Sequence, residues 1–183
     1  MSLLKKVFGI VADQLPAAGV ECVLIGGFAV NHYGYSRNTL DVDFMILSDQ
    51  VEAVRSVMAQ AGFINISVCE NVVFFNVPGS SLRVDFLRSD SETMRKLLDG
   101  ACLVEVQGHQ VKIPALRDLI AMKVFSLSQA PARRMAKDLP DIAYLSVLNG
   151  LDLETDLKPL CEKFGDAKTY DLIRGQIQEL KIP

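Results

Sequence analysis

Asp41 and Asp43 stand two residues apart in the run Thr39–Leu47, TLDVDFMIL, whose alternation predicts a strand. Side chains two apart on a strand leave the same face, about 7 Å apart along the backbone. Two carboxylates side by side repel each other and cost stability unless a cation neutralises them. Leu40, Val42 and Phe44 fall on the opposite face and are expected to point into the core. A third acid, Asp85, lies between Val84 and Phe86 in Leu82–Leu87, LRVDFL, and also projects from a strand opposite core residues. Three strand-borne acids that converge suit two-metal phosphoryl transfer: two bridge Mg²⁺ ions, and the third holds one ion and accepts a hydroxyl proton. Taken singly, each acid reads equally well as a solvated residue on a strand.

Around the acids lie residues with two readings each. Gly26-Gly27 ends the apolar run Val20–Ile25. Without Cβ atoms the pair either lets a phosphate approach backbone N–H groups and a helix N-terminus, or simply makes a tight turn. Arg37 and Thr39 orient a phosphate or cap the start of the strand, and His32 and Tyr33 are expected to pack the Gly-rich loop. Further on, the stripe Leu116, Leu119, Ile120, Val124 and Leu127 contains Lys123, which either snorkels to water or turns its charge into a cleft. Asp138 and Asp141, D-x-x-D with Pro140 ahead of an apolar run, read as helix caps.

The elements that must position these residues follow from periodicity and punctuation. Met1–Ala18 has apolar residues at helical spacing; Val20–Ile25 reads as a buried strand; a short helix follows Gly26-Gly27; and a helix from about Asp49 to Ala61 follows the Asp41/Asp43 strand. Asn71–Val77 and Leu82–Leu87, separated by Pro78-Gly79-Ser80-Ser81, predict a hairpin. Ser91–Leu98 predicts a short helix, and Leu103–Val106 with Gln110–Ile113 a second hairpin around Gly108-His109. From Pro114 the pattern turns helical, with breaks near Ala130-Pro131, Asn149-Gly150 and Phe164-Gly165. The expected organisation is an α/β unit with a mixed sheet over residues 1–114 and a helical subdomain over 115–183.

Composition excludes several classes. A chain of 183 residues with 19 Lys+Arg against 22 Asp+Glu, net charge −3, is not built to grip duplex DNA through many phosphates. Positive charge is concentrated, however, with five basic and three acidic residues between positions 115 and 148. The four cysteines are widely spaced, with no C-x-x-C, so neither a zinc site nor a disulfide framework is indicated and a cytoplasmic location is expected. No run reaches the roughly 18 apolar residues of a membrane span, and Val7–Ala12 is too short for a signal-peptide core. With two histidines and no G-x-S-x-G, any enzymatic chemistry must come from carboxylates, Lys and Arg.

Gly26-Gly27, thirteen residues, Asp41-Val42-Asp43 and the later strand acid Asp85 together resemble the nucleotidyltransferase superfamily with its polymerase-beta-like fold. The string GGFAVNHYGYSRNTLDVD resembles in particular the AbiEii/AbiGii toxin-type branch, and Ala132–Leu145 resembles that family's R…K-D…D-I…L segment. The resemblance implies a mixed sheet flanked by helices, with the helical subdomain forming the other wall of a cleft. It implies an NTP, ATP among the candidates, lying against Gly26 and Gly27, with Mg²⁺ or Mn²⁺ held by Asp41, Asp43 and Asp85. Lys123, Arg37 and Thr39 would attend the phosphates. A nucleoside monophosphate would pass to a hydroxyl of RNA such as tRNA, of a protein or of a small molecule, with Asp85 as base and an antitoxin as a partner. Two further readings stand beside it: a non-catalytic nucleotide-binding or interaction protein, against which the intact acids count, and a metal-dependent phosphohydrolase, whose usual histidine ligands are missing.

Overall fold

In the computed structural model, which describes residues 2–180, the chain divides into two compact units. The first takes in the chain up to Ala29 together with Arg37–Ala115; the second takes in Val30–Ser36 and the chain from Leu116 onward.

The first unit begins with α1 (Leu3–Gly9), which runs through a π-helical turn, Ile10–Gln14, into α2 (Leu15–Ala17). The single helix expected there therefore changes its hydrogen-bond pattern midway, and Met1 lies outside the described residues. Val7, Phe8, Ile10, Val11 and Leu15 form its buried stripe. The apolar run makes β1 (Cys22–Ile25), and α3 (Gly26–His32) starts directly at the glycine pair. The order then continues through β2 (Asp41–Leu47), α4 (Val51–Gln60), β3 (Ile64–Cys69), β4 (Val72–Asn76), β5 (Arg83–Ser89) and α5 (Ser91–Asp99) to the hairpin β6 (Cys102–Val106) and β7 (His109–Ile113).

Five strands form one sheet in the order β1-β2-β5-β4-β3. β2 and β5 are parallel, whereas β1–β2, β5–β4 and β4–β3 are antiparallel. Parallel neighbours need a crossover connection, here α4 with β3 and β4, and β5 closes it by inserting between β2 and β4. One face of this mixed sheet is aromatic. Phe44 stacks on Phe86 at 5.4 Å, and Phe8 and Phe75 meet these two edge-on at 6.2 and 5.7 Å. All four rings are fully buried, each contributing about 1.5–3 kcal/mol relative to exposure. Val42, Ile46 and Val84 share that face, so the odd-numbered residues of β2 and β5 must leave the other one.

Two expectations are corrected here. Leu40 does not point into the core: it is 74% exposed, because β2 begins only at Asp41 and the alternation does not extend back across the bend before it. β3 was not foreseen; its Ile64 and Val68 side chains are about half exposed, so this edge strand lacks the apolar pattern of a buried one.

The second unit is helical: α6 (Leu116–Gln129), α7 (Pro131–Arg134), α8 (Asp138–Leu148), a π-helical turn Leu153–Leu157 leading into α9 (Lys158–Phe164), and α10 (Ala167–Leu180). α8 packs on α6 and α10, and α9 packs on α6. His32 and Tyr33, expected to pack the Gly-rich loop, lie in the segment Val30–Ser36 that groups with these helices. Tyr35 stacks on Tyr144 with ring centroids 4.2 Å apart and planes 7° apart, and Asn149 Nδ2 donates to the Tyr33 carbonyl at 3.0 Å. His32 and Tyr33 meet edge to face at 5.3 Å.

Candidate active site

Register places the three acids. Across the parallel β2–β5 pair, Asp43 stands opposite Asp85 and Asp41 opposite Arg83; across the antiparallel β1–β2 pair, Asp43 stands opposite Ile25. The last residue of β1, and so the glycine pair that follows it, is thereby brought to Asp43.

The glycines are explained by that approach. Gly26 has φ +64°, and a Cβ there would overlap Asp43 Oδ2 and lie 2.7 Å from its Cγ. A Cβ on Gly27 would lie 2.7 Å from Thr39 Oγ1 and 2.8 Å from Thr39 Cβ. The pair is therefore what lets the β1–α3 turn lie against Asp43 and Thr39. Thr39 Oγ1 in turn donates to the Asp41 carbonyl at 3.0 Å, tying the incoming chain to the first residue of β2. Arg37 is half-buried just before it.

Arg83 is the residue sequence reasoning missed. Its Nε donates to Asp85 Oδ1 at 2.8 Å and its NH2 group to Asp41 Oδ2 at 2.9 Å, so one guanidinium bridges two of the acids. The same guanidinium lies 5.0 Å from the centre of the Phe74 ring. The signal was present: Arg83 precedes Asp85 by two residues and so shares its face.

Asp85 is only 4% exposed, and its carboxyl is pushed up to about 6. Burial is the chief cause, with the charges of Asp43 and Asp41 adding to it and the Arg83 hydrogen bond and charge opposing it. Arg83 is held above its ordinary value. Desolvation pulls it down, but the Asp85 hydrogen bond and the charges of Asp85, Asp41 and Asp43 together outweigh that pull.

The expected convergence on a metal is not closed in this arrangement. Among the described residues no three His, Cys, Asp or Glu side chains are grouped to hold an ion, and Arg83 stands between Asp41 and Asp85. The donor chemistry fits nevertheless. Three carboxylates on one sheet face offer only hard oxygen ligands, which suit Mg²⁺ or Mn²⁺.

Within the helical unit, Lys123 does not snorkel. It is 6% exposed, and its Nζ donates to Asp138 Oδ1 at 3.0 Å and to Asp141 Oδ2 at 2.6 Å. Asp138 and Asp141 are not caps either. The residue at the α8 N-cap is Lys137, no side chain caps it, and both carboxylates are buried against Lys123. Capping competes poorly here because a buried ammonium must find anions. No helix among the described residues is long and apolar enough to cross a membrane.

With a mixed five-stranded sheet, paired acids on β2 and a third on the parallel neighbour, the architecture is that of a nucleotidyltransferase. The chain belongs to a family described as nucleotidyl transferase of unknown function (DUF2204), whose model matches residues 5–137. No curated protein sequence matches it. Among solved structures it is similar to the antibiotic-resistance factor ANT(2'')-Ia, with 10% identity, a TM-score of 0.59, and coverage of 96% of this chain and 91% of that one. It is also similar to an antigenic nucleotidyltransferase-like protein from Paracoccidioides brasiliensis, at 18% identity and TM-score 0.58, covering 93% and 92% of the two chains. A third similar structure is the lincosamide antibiotic adenylyltransferase LnuA with lincomycin bound, at 10% identity and TM-score 0.51, covering 81% of this chain and 98% of that one. At these identities the likeness is one of fold.

Proposed function

We propose that the protein transfers a nucleoside monophosphate from an NTP to a hydroxyl of a small molecule, at Asp41, Asp43 and Asp85. The observation that carries this reading is the register of β2 on β5, which sets Asp43 beside Asp85 on the face away from the core. Asp41, Asp43 and Asp85 would hold Mg²⁺ or Mn²⁺. When bound, such an ion supplies Lewis-acid stabilisation of the charge on the transferring phosphoryl group.

The chain's own residues account for the rest. The triphosphate would lie beside Asp43 at the β1–α3 turn, where the Asp43 and Thr39 side chains fill the space that Cβ atoms on Gly26 and Gly27 would need. Thr39 positions Asp41 through its main-chain bond, and Arg37, two residues before Thr39, adds positive charge. Asp85 accepts the proton of the attacking hydroxyl as the oxygen bonds to the α-phosphorus and the bond to pyrophosphate breaks. A carboxyl whose value is raised to about 6 is a better base than an ordinary aspartate, and still ionised at neutral pH. Lys123 is assigned to holding α6 against α8; a direct role on the phosphates would require its ammonium to leave Asp138 and Asp141.

A small-molecule acceptor is favoured by the neighbours whose lengths match. ANT(2'')-Ia, solved with adenylyl-2''-tobramycin, is covered over 99% of its chain, and the lincomycin-bound enzyme over 98%. A tRNA-processing enzyme is covered over only 48%. The AbiEii/AbiGii-type likeness rests on the string from Gly26 to Asp43 and on Ala132–Leu145, and an antitoxin partner would follow only from it.

The test is transfer of label from each α-³²P NTP, with Mg²⁺ or Mn²⁺, to small-molecule, RNA and protein fractions. Label in the small-molecule fraction, lost in Asp41→Ala/Asp43→Ala, supports the reading. Label confined to RNA or protein redirects the acceptor. Equal behaviour of wild type and the double variant in both NTP binding and turnover refutes the site.

A further inference from the structure

Arg83 is positioned where a cation is wanted and beside a place it can retreat to. Its fork spans Asp41 Oδ2 and Asp85 Oδ1, the acids from the two strands that the metal would also have to join. On its other side, across the antiparallel β5–β4 pair, Arg83 stands opposite Asn76 and Asp85 stands opposite Phe74. Opposed residues of such a pair share a face with Cβ atoms roughly 5 Å apart. The Asn76 Oδ1 atom is buried and has no hydrogen-bond partner among the described residues, an arrangement that costs free energy unless a donor is supplied some of the time. The Phe74 ring already lies 5.0 Å from the guanidinium carbon. One cation thus has two acceptor sets within a side chain's swing: the carboxylates it now bridges, and a waiting amide oxygen beside a ring it already touches.

We propose that Arg83 is a built-in counter-ion that occupies the acid cluster in the metal-free protein and is displaced by the divalent cation onto Asn76 Oδ1, keeping its contact with Phe74. This rests on the reading of Asp41, Asp43 and Asp85 as metal ligands. Arg83 is a positioning residue: it holds Asp41 and Asp85 in place without metal, and it sets how strongly metal must bind to replace it. Its planar fork matters, because a lysine is a point charge that cannot bridge two carboxylates in the same geometry. Once moved, the guanidinium stays next to the acids, on the β4 side, with its charge turned toward whatever binds there.

The two halves of the switch have opposite signs in a measurement that needs no substrate. Mn²⁺ binding to the full chain is followed by the EPR signal of free Mn²⁺, with melting temperature recorded with and without the ion. Arg83→Gln removes the competitor, so Mn²⁺ is expected to bind about tenfold tighter, which corresponds to roughly 1.4 kcal/mol. The metal-free melting temperature falls, the rise on adding Mn²⁺ grows, and Arg83→Lys lies between wild type and Arg83→Gln. Asn76→Ala removes the receiving oxygen, so Mn²⁺ binds more weakly in an otherwise wild-type chain and with unchanged strength in the Arg83→Gln background. Binding no tighter in Arg83→Gln, with wild type still binding Mn²⁺ through Asp41 and Asp43, overturns the counter-ion proposal and leaves the metal reading intact. An Asn76→Ala effect that persists without Arg83 overturns the receiving role. Absence of Mn²⁺ binding in wild type and Arg83→Gln alike overturns the metal reading and this proposal with it.

Discussion

Gly26 and Asp43 touch so closely that the backbone of one and the carboxylate of the other form a single feature: a Cβ on Gly26 would overlap Asp43 Oδ2 and lie 2.9 Å from Asp43 Cβ. The contact joins the end of β1 to the middle of β2 and fixes the direction in which Asp43 projects.

Gly26→Ala tests that contact. With φ at +64°, an alanine costs about 1–2 kcal/mol of backbone strain, and its methyl group must also push the Asp43 side chain aside. The expected outcome is a lowered melting temperature together with loss of Mn²⁺ binding. Gly19→Ala serves as the control: its φ is +75° with nothing near the added Cβ, so it destabilises to a similar extent and leaves Mn²⁺ binding unchanged.

Asp85 sets a pH dependence with opposite signs for stability and function. Its carboxyl titrates near 6 in the folded protein, against about 3.9 in an unfolded chain. Between these values the folded state holds more protons, so this group's contribution to stability falls as pH rises through that window and is lowest above it. In the proposed reaction the ionised form acts, so label transfer is expected to rise with pH through the ionisation of this carboxyl, which a bound cation moves below its metal-free value of about 6. Thermal melts and initial rates from pH 4 to 8 check the two trends. A transfer rate that falls as pH rises across this range contradicts the assignment of Asp85.

Asp85→Asn keeps the shape and removes the charge. The melting temperature is expected to rise at pH 8, where the wild-type carboxylate is ionised and buried, and to change little near pH 4. Transfer is expected to drop by about 10²–10⁴-fold, the range for loss of a general base. A loss of stability at pH 8 would show that the Arg83 bond outweighs the cost of burying the charge.

Lys123→Met strands two buried carboxylates. Asp138 is 3% exposed and Asp141 is fully buried, and breaking a buried ion cluster by removing one member costs about 3–5 kcal/mol. Urea denaturation should show that loss. The triple variant Lys123→Met/Asp138→Asn/Asp141→Asn should recover most of it if the cluster is structural. If the triple variant regains stability and still transfers label, Lys123 is not needed on the phosphates.

Much of this protein was legible in one dimension. The two hairpins, the breaks in the helical half and the acid pair on a strand followed from alternation and from glycine and proline positions, because these are local constraints on backbone geometry. Arg83 was legible in principle, two residues before Asp85, but the sequence had no means of saying which anions it would find. Lys123 was visible as a charge within an apolar stripe, whereas its partners lie 15 and 18 residues away on another helix.

Residue type and spacing by themselves determined that three acids leave strands on the side away from apolar neighbours, and that a glycine pair precedes them. Only the tertiary structure decided that β5 inserts beside β2 rather than at the sheet edge, which sets Asp85 next to Asp43 and Arg83 next to Asp41. It also decided that the glycine pair packs against Asp43 and Thr39, and that Asn76 faces Arg83. The physical reason is that period-two alternation specifies a face but not a neighbour. Neighbours are chosen by burying the opposite face, where Phe44, Phe86, Phe75 and Phe8 close the core and carry the acids into register behind them.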